Sequence, residues 1–321
     1  MPLVPGLHGI FVFFSFSCYT YHNRKKGEIM YLKYIVKESD NYKNINEILS
    51  IEFHLSTRLT TKLIKNKHIY KNNIVVDTRD SLTVNDIILI DLNFEEDNSN
   101  IIPTQMDLDI IFEDDWFVVV NKPAGIAIHP SLLHYDNSLS NGVKYYFDSI
   151  SLNKKIRPVN RLDLNTSGLV IFAKCEYIQE EFTRQMISNT FVKEYLCIIE
   201  GVLDNKNSII DLPIARKEGS IIERCVDSNG QNSITHYTVL KEFKNYSLIK
   251  CILKTGRTHQ IRVHMKAIGH PLLGDTLYGN SSDLINRQAL HSCNIECIHP
   301  VTKQFLKFTA NIPKDMEILL L

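Results

Sequence analysis

Several things are missing from this 321-residue chain, and each removes a class of explanation. Net charge is missing: 36 basic residues balance 36 acidic ones, so no overall field draws in a polyanion and nucleic-acid binding must rest on local patches. Paired cysteines are missing as well. The seven cysteines (18, 175, 197, 225, 251, 293 and 297) are scattered and none forms C-x-x-C, which suits a reducing cytoplasm and not a disulfide framework. The apolar patch from Ile10 to Cys18 is too short to span a bilayer, so no membrane partner is expected. No phosphate-binding glycine loop is present, so nothing signals a nucleotide cofactor. No internal repeat or low-complexity tract breaks the chain.

His291, Cys293, Cys297 and His299 have the residue types of a zinc site. Their spacing argues against one. Odd positions along an extended strand share one face but spread over about 26 Å at roughly 3.3 Å per residue. One ion cannot gather them at bond lengths near 2 Å. They read as packing residues, and neither a metal nor any other cofactor is expected.

What is present is enough apolar material, 44 % of residues, for one large core and a small additional domain. Residues 1–29 fit neither. Their positive charges, Arg24, Lys25 and Lys26, follow the apolar patch, whereas a secretory signal carries them before it. Lys26 to Met30 can be encoded by AAAGGAGAAATAATG, a purine-rich ribosome-binding site ahead of an ATG. Translation from Met30 is therefore expected, with residues 1–29 an untranslated leader or a disordered tail.

From residue 30 to 93 the pattern is a small α+β unit. Ile45, Ile48, Leu49 and Phe53 recur at helical spacing, and Ser56 is a suitable N-cap for a second helix carrying Leu59, Leu63 and Ile64. Asn72-Asn73 predicts a tight hairpin, since Asn tolerates positive φ. Arg58, Lys62, Lys65, Lys67, His68 and Lys71 crowd the second helix and its exit, with no acid between positions 53 and 76. Such clustering is an electrostatic footprint for RNA phosphates, although a solvated helix face is the commoner fate of a charge run. Residues 94–106, polar and containing Pro103, read as a linker. Residues 107–321 read as one α+β domain with strands at Phe117–Asn121, Leu169–Ala173, Tyr195–Glu200, Ile234–Leu240 and Tyr246–Leu253, and a helix marked by Ile178, Phe182 and Met186.

Four segments of that domain carry chemistry. The richest is Arg157-Pro-Val-Asn160-Arg161-Leu162-Asp163-Leu-Asn165-Thr166-Ser167-Gly168, a polar turn opening onto the apolar run Leu169 to Ala173. Such a turn can hold a carboxylate at a cleft mouth, although Asp and Thr often serve only as turn formers. The others are Asn121-Lys122-Pro123-Ala-Gly125-Ile-Ala-Ile-His129-Pro130, then Lys193-Glu194-Tyr195, then Thr255-Gly256-Arg257-Thr258-His259-Gln260-Ile261-Arg262-Val263-His264. In the last, Ile261, Met265 and Ile268 form a helical stripe with Arg262 and Lys266 on another face.

Together these segments resemble the RluA-type family of RNA pseudouridine synthases. The family's His-Arg-Leu-Asp-x-x-Thr-Ser-Gly stands here as Asn160 to Gly168, with Asn160 in place of the His. Gly256 to Arg262, Gly269 to Asp275 and Leu290-His291-Ser also look like that family. The N-terminal unit resembles a small RNA-binding domain shared with a ribosomal protein, with Asn85 where a Gly is usual.

The resemblance implies a mainly antiparallel mixed α+β sheet fold and an isomerisation in which uracil leaves its ribose and rejoins through carbon 5. It implies Asp163 as the catalytic carboxylate, Tyr195 as a ring and hydroxyl beside the flipped base, and Arg262 as the guanidinium partner of Asp163, with Arg257 the alternative. Asn160, Arg161, Thr166, Lys193, Arg257 and His259 are expected to contact RNA in the catalytic domain, and Arg58, Lys62 and Lys65 in the N-terminal one. Structured RNA is the expected partner, large-subunit ribosomal RNA ahead of transfer RNA, and the protein is expected to be a cytoplasmic monomer. Two other readings compete: a non-catalytic RNA-binding assembly factor, disfavoured because Asp163, Tyr195 and the arginines are all present, and a glycosidase-like hydrolase, disfavoured because the richest motif holds only one acid, Asp163.

Overall fold

Apolar runs of β-branched residues dictate the centre of the molecule. The computed structural model describes residues 30–321, so the expectation for residues 1–29 lies outside the described residues. In chain order the elements are β1 (Tyr31–Ile35), α1 (Ile45–Ile51), α2 (Thr57–Lys65), β2 (Ile69–Lys71), β3 (Ile74–Val75) and β4 (Ile87–Asp91). After residues 94–106 come β5 (Asp109–Glu113), β6 (Phe117–Lys122), α3 (Leu139–Ser149), β7 (Arg157–Pro158), β8 (Ser167–Ala173) and α4 (Glu176–Ile187). Next are β9 (Val192–Glu200), β10 (Asn207–Asp211), β11 (Ile214–Arg216), β12 (Arg224–Val226), β13 (Ile234–Glu242) and β14 (Tyr246–Leu253). The chain closes with α5 (Gln260–Ala267), β15 (Leu290–Ile298), β16 (Phe305–Thr309) and α6 (Lys314–Glu317), followed by a 3-10 turn.

β1 to β4 form one sheet in the order β1-β4-β2-β3. Ser56 caps α2, its hydroxyl accepting from Leu59 N. Asn72 and Asn73 both take positive φ, 50° and 68°, in the two-residue turn between β2 and β3, and Asn85 does the same at 73°. The side chain of Asn98 donates to Lys154 O, and Glu96 meets Arg157 and Lys62. Segment 94–106, without regular structure, is thus fastened to the second sheet's side of the molecule. Burial opposes the Glu96 charge, but the two cations hold its carboxyl down at about 2.

The second sheet runs β10-β13-β14-β9-β15-β8-β6-β5, with β16 on β15 and β7 on β8. All neighbours are antiparallel except β15 and β8, which pair in parallel at Ser167–Gly168 against His291–Ser292. β8 is buried along its whole length, as a run of Leu, Val, Ile and Phe requires. Alternation sorts its side chains by face. Leu169 and Ile171, with Phe117 and Val119 of β6, meet α4 through Ile178 and Phe182. Val170 and Phe172, with Val118 and Val120, meet α3 through Leu139, Val143 and Phe147. The β9 side repeats the scheme: Tyr195, Cys197 and Ile199 pack on α5, whereas Ile198 packs on Met316 and Leu319.

Phe117 is fully buried and lies within about 6 Å, ring centre to ring centre, of Phe112, Phe182 and Phe308. Phe117→Ala is expected to remove about 3–5 kcal/mol of stability, read as a lower urea midpoint. A loss below about 1 kcal/mol would place the core elsewhere.

The four residues resembling a zinc site separate along β15. His291 Nδ1 lies 3.0 Å from Ser167 Oγ, the Cys293 thiol donates to Glu194 O, Cys297 sits in the core, and His299 Nε2 meets Asp114 Oδ2 at 2.8 Å. No helix among the described residues is long and apolar enough to cross a membrane.

Candidate active site

The turn from Asp163 to Thr166 is held from three sides. Lys122, fully buried at the end of β6, donates from Nζ to Pro123 O, Ile126 O and Leu164 O at 2.8–3.0 Å. Gly125, at φ 82°, donates its N–H to the same Leu164 carbonyl. Arg287 donates from Nη1 to Asn165 O while both ends of its guanidinium grip Asp315. Thr166 N–H donates to Asp163 O within the turn itself. So many fixed contacts around four residues hold a side chain where thermal motion would otherwise blur it.

Asp163 projects into a cleft of about 530 Å³ whose walls include Arg161, Lys193, Tyr195, Arg257, His259 and Arg262. Arg262 Nη1 donates to Asp163 Oδ2 at 3.2 Å. The rest of that guanidinium is committed: Nε and Nη2 donate to the two carboxylate oxygens of fully buried Asp275 at 2.7 and 2.8 Å. Burial works against the Arg262 charge, but Asp275 and then Asp163 outweigh it and the guanidinium stays protonated. The bidentate fork fixes both position and plane, which a lysine would not do.

His259, in the left-handed region at φ 59°, ends the turn that leads into α5. Gln260 builds that turn: its Oε1 accepts from Arg257 N and Thr255 Oγ1, and its Nε2 donates to Ile234 O. Tyr278 Oη accepts from Arg224 N and lies 2.8 Å from His259 Nδ1, within hydrogen-bond reach. The other ring nitrogen, Nε2, lies 3.8 Å from Asp163 Oδ2. Burial, ahead of the neighbouring Arg262 charge, keeps His259 below its ordinary pKa despite Asp163. Tyr195 is 5 % exposed, on β9 opposite Cys251 and Ser292. Burial first, and the Asp163 charge second, push its phenol well above the usual range, so it faces the cleft as a neutral hydroxyl.

The structure brings Asp163, Arg161, Lys193, Tyr195, Arg257, His259 and Arg262 to one cleft. Between the two arginines it separates roles: Arg262 meets Asp163, while Arg257 is exposed and donates from Nε to Asn232 O. The side chain of Lys193, half-buried, faces no carboxylate among the described residues, and burial lowers its pKa.

Most of the remaining expected RNA contacts have partners within the protein. Asn160 lines the cleft wall, and its amide also bonds backbone: Oδ1 accepts from Ile171 N and Nδ2 donates to Leu169 O, fixing the turn to β8. Thr166 also lines the cleft; it is buried and accepts from Gln288 Nε2. Arg58, Lys62 and Lys65 lie on α2, outside the cleft. Arg58 and Lys62 approach Glu176 at the start of α4, and Lys62 also meets Glu96 at 3.0 Å; Lys65 is exposed and, among the described residues, has no ion-pair partner. Carboxylates distant in sequence compensate that helix, and inspection of the local acid-free stretch could not show it. Lys122, Asp275, Tyr278 and Arg287 were given no role from sequence. Lys122 and Asp275 stood inside quoted motifs, which was the available signal.

Burial pulls the Lys122 ammonium down to about 7, with Asp163 pulling it back up. Between pH 7 and about 10 the unfolded chain therefore holds this proton more fully than the folded one, and stability contributed at this position rises with pH. The difference in unfolding free energy between wild type and Lys122→Met is expected to grow from pH 7 to 9, by up to ~1.4 kcal/mol per pH unit. A difference flat in pH would mean that Lys122 keeps an ordinary pKa.

Residues 116–267 match the family described as RNA pseudouridylate synthase. The chain is 39 % identical over 250 residues to the uncharacterized RNA pseudouridine synthase YhcT of Bacillus subtilis (strain 168), covering 77 % of this chain and 80 % of that protein. It is 38 % identical over 232 residues to ribosomal large subunit pseudouridine synthase D of Zymomonas mobilis subsp. mobilis, covering 68 % and 73 %. Among solved structures, human RNA pseudouridylate synthase domain containing 1 superposes with a TM-score of 0.54 at 26 % identity, over 64 % of this chain and 83 % of that one.

Proposed function

This chain belongs to the RNA pseudouridylate synthase family, and on that premise we propose that it converts specific uridines of large-subunit ribosomal RNA to pseudouridine with Asp163 as the catalytic carboxylate. The observation that carries the reading is the Asp163 carboxylate at the cleft wall, held by Arg262 and facing the neutral phenol of Tyr195. The ribosomal target is supported by the relative from Zymomonas mobilis, which is named for the large subunit.

The chemistry is balanced without an external reagent. The N1–C1′ bond breaks, the uracil turns, a C5–C1′ bond forms, the C5 proton leaves and N1 gains a proton. A stacked or paired uridine cannot reach Asp163, so the nucleotide is flipped into the cleft at a cost of a few kcal/mol. Arg161, exposed at the cleft rim, is flat and cationic and suits the space that the base vacates. An ionised carboxylate bonds to, or stabilises charge at, the separating fragments. Tyr195 supplies a face for the uracil and a hydroxyl near the departing C5 proton.

We assign the N-terminal unit, residues 30–93, to added RNA affinity through the bases that remain free of carboxylates. Lys65 and Lys67 are exposed, and Lys65→Glu/Lys67→Glu is expected to weaken RNA binding several-fold at about 0.1 M salt. Unchanged affinity in a filter-binding assay would remove this unit from RNA recognition.

Pseudouridine mapping of total RNA tests the whole reading. Cells lacking the gene should lose a defined site in large-subunit ribosomal RNA, restored by wild type and not by Asp163→Ala. A lost site in transfer RNA would keep the chemistry and change the target. Restoration by Asp163→Ala would overturn the catalytic assignment.

A further inference from the structure

Beside the cleft lies a second groove, of about 430 Å³, that the isomerisation chemistry leaves unexplained. Its wall is the hairpin of β11 and β12, and its other side is the turn at Gly256 to Thr258. Arg161, Gly256, Arg257 and Thr258 line both spaces, so the groove opens directly into the cleft that holds Asp163.

Four arginines converge there: Arg161, Arg216, Arg224 and Arg257. Arg216 and Arg224 stand directly opposite one another in the β11–β12 ladder. Like charges at such a pair are destabilising. Among the described residues, none of the four arginines lies within ion-pair distance of a carboxylate. Glu223, the chain neighbour of Arg224, is taken by Lys217 at 2.9 Å. Arg224 donates from Nη1 only to the carbonyls of Ile222 and Glu223, and Arg257 from Nε only to that of Asn232.

The walls are rigid. Gly230 passes so close to Ile214 that an added Cβ would stand 2.5 Å from its carbonyl carbon. The base of β12 is tied to the active site, since Arg224 N donates to Tyr278 Oη, which bonds His259 beside Asp163.

Resting on the reading of the cleft as a uridine-isomerising site, we propose that this groove is a phosphodiester-binding subsite for the RNA strand adjoining the flipped nucleotide, with Arg216 and Arg224 as its main contacts. A polyanionic strand neutralises the opposed guanidiniums, and their planar forks match phosphate oxygens. Continuity with the cleft favours a strand over a free anion, because a backbone leaving the flipped uridine must run along one of the cleft's open sides.

Binding of deproteinised large-subunit ribosomal RNA by the full chain, measured against KCl concentration, tests this. Arg216→Ala/Arg224→Ala is expected to weaken binding about 10- to 100-fold near 0.15 M KCl. The slope of log K against log [KCl] should flatten by roughly 1.5–2, the effect of losing two phosphate contacts. Arg216→Lys/Arg224→Lys should recover most of the slope. It also guards against misfolding as the cause, because it keeps the charge and the hairpin.

Removing two lysines elsewhere on the surface, Lys244→Ala/Lys314→Ala, should do far less; an equal effect would reduce the groove to bulk charge and overturn the proposal. So would tight binding of inorganic phosphate that the double alanine abolishes while RNA affinity stays unmoved. Wild type assayed on the same RNA separates the two levels. Isomerisation with an unaffected double variant overturns the groove alone, whereas no isomerisation by wild type removes the reading on which it rests.

Discussion

Asp163→Asn is expected to lower pseudouridine formation by at least ~10⁴-fold while RNA affinity stays within a few-fold of wild type. The amide nearly matches the carboxylate in shape and can still accept from Arg262 Nη1, which in wild type donates to Oδ2 at 3.2 Å. The turn around it is held by Lys122, Gly125 and Arg287 through backbone carbonyls that the substitution does not touch. What disappears is the negative charge and the nucleophilic oxygen, and losses of this order follow removal of a group that forms or stabilises a covalent intermediate. Nucleoside mass analysis after a single turnover, with binding measured on the same RNA, is the check. Residual activity above about 1 % of wild type would move the catalytic role to another group.

Gly168→Ala is expected to destabilise the fold by more than ~3 kcal/mol, corresponding to a fall in Tm of about 6–12 °C. Two independent effects act at this residue. Its φ is 114°, a conformation that an L side chain rarely adopts. An added Cβ would also lie 2.2 Å from Ser292 O and 2.6 Å from Ser292 N, both backbone atoms that cannot swing aside. Relief requires β8 and β15 to part at their parallel contact, Ser167–Gly168 against His291–Ser292. The Asp163 turn runs directly into that contact, so activity should fall with stability. Urea unfolding of the two proteins decides it, and a change below about 1 kcal/mol would mean that the strands do not approach so closely.

Local signals in the sequence were dependable. The Ser56 cap, the Asn72-Asn73 turn and the strand at Leu169–Ala173 depend on neighbours within a few residues, and all three are found. Asp163 and Arg262 were legible because each stands in a quoted motif. Side chains whose partners lie far along the chain were not legible. Arg262 was expected beside Asp163 and stands there, but its burial and its fork onto Asp275 were not legible, since Asp275 meets it from a loop that periodicity cannot place. Asn160 was expected at the RNA, and it lines the cleft; that its amide also fastens the turn to β8 depends on Leu169 and Ile171, which the motif alone did not show. Arg58 and Lys62 looked like an RNA footprint because the stretch around them holds no acid. Their carboxylates come from Glu96 and Glu176.

The order of the large sheet has a consequence for the protein's birth on the ribosome. β15 lies between β9 and β8, so the strand that joins the two halves is almost the last to be synthesised. Until it emerges, the β8 edge, with its apolar neighbours, and the β9 edge both wait with unpaired backbone groups, a state prone to mispairing with other chains. Closure is therefore a late event that must follow synthesis of nearly the whole polypeptide. Chains stalled before residue 290 should accumulate as protease-sensitive, aggregation-prone nascent species with no assembled catalytic cleft.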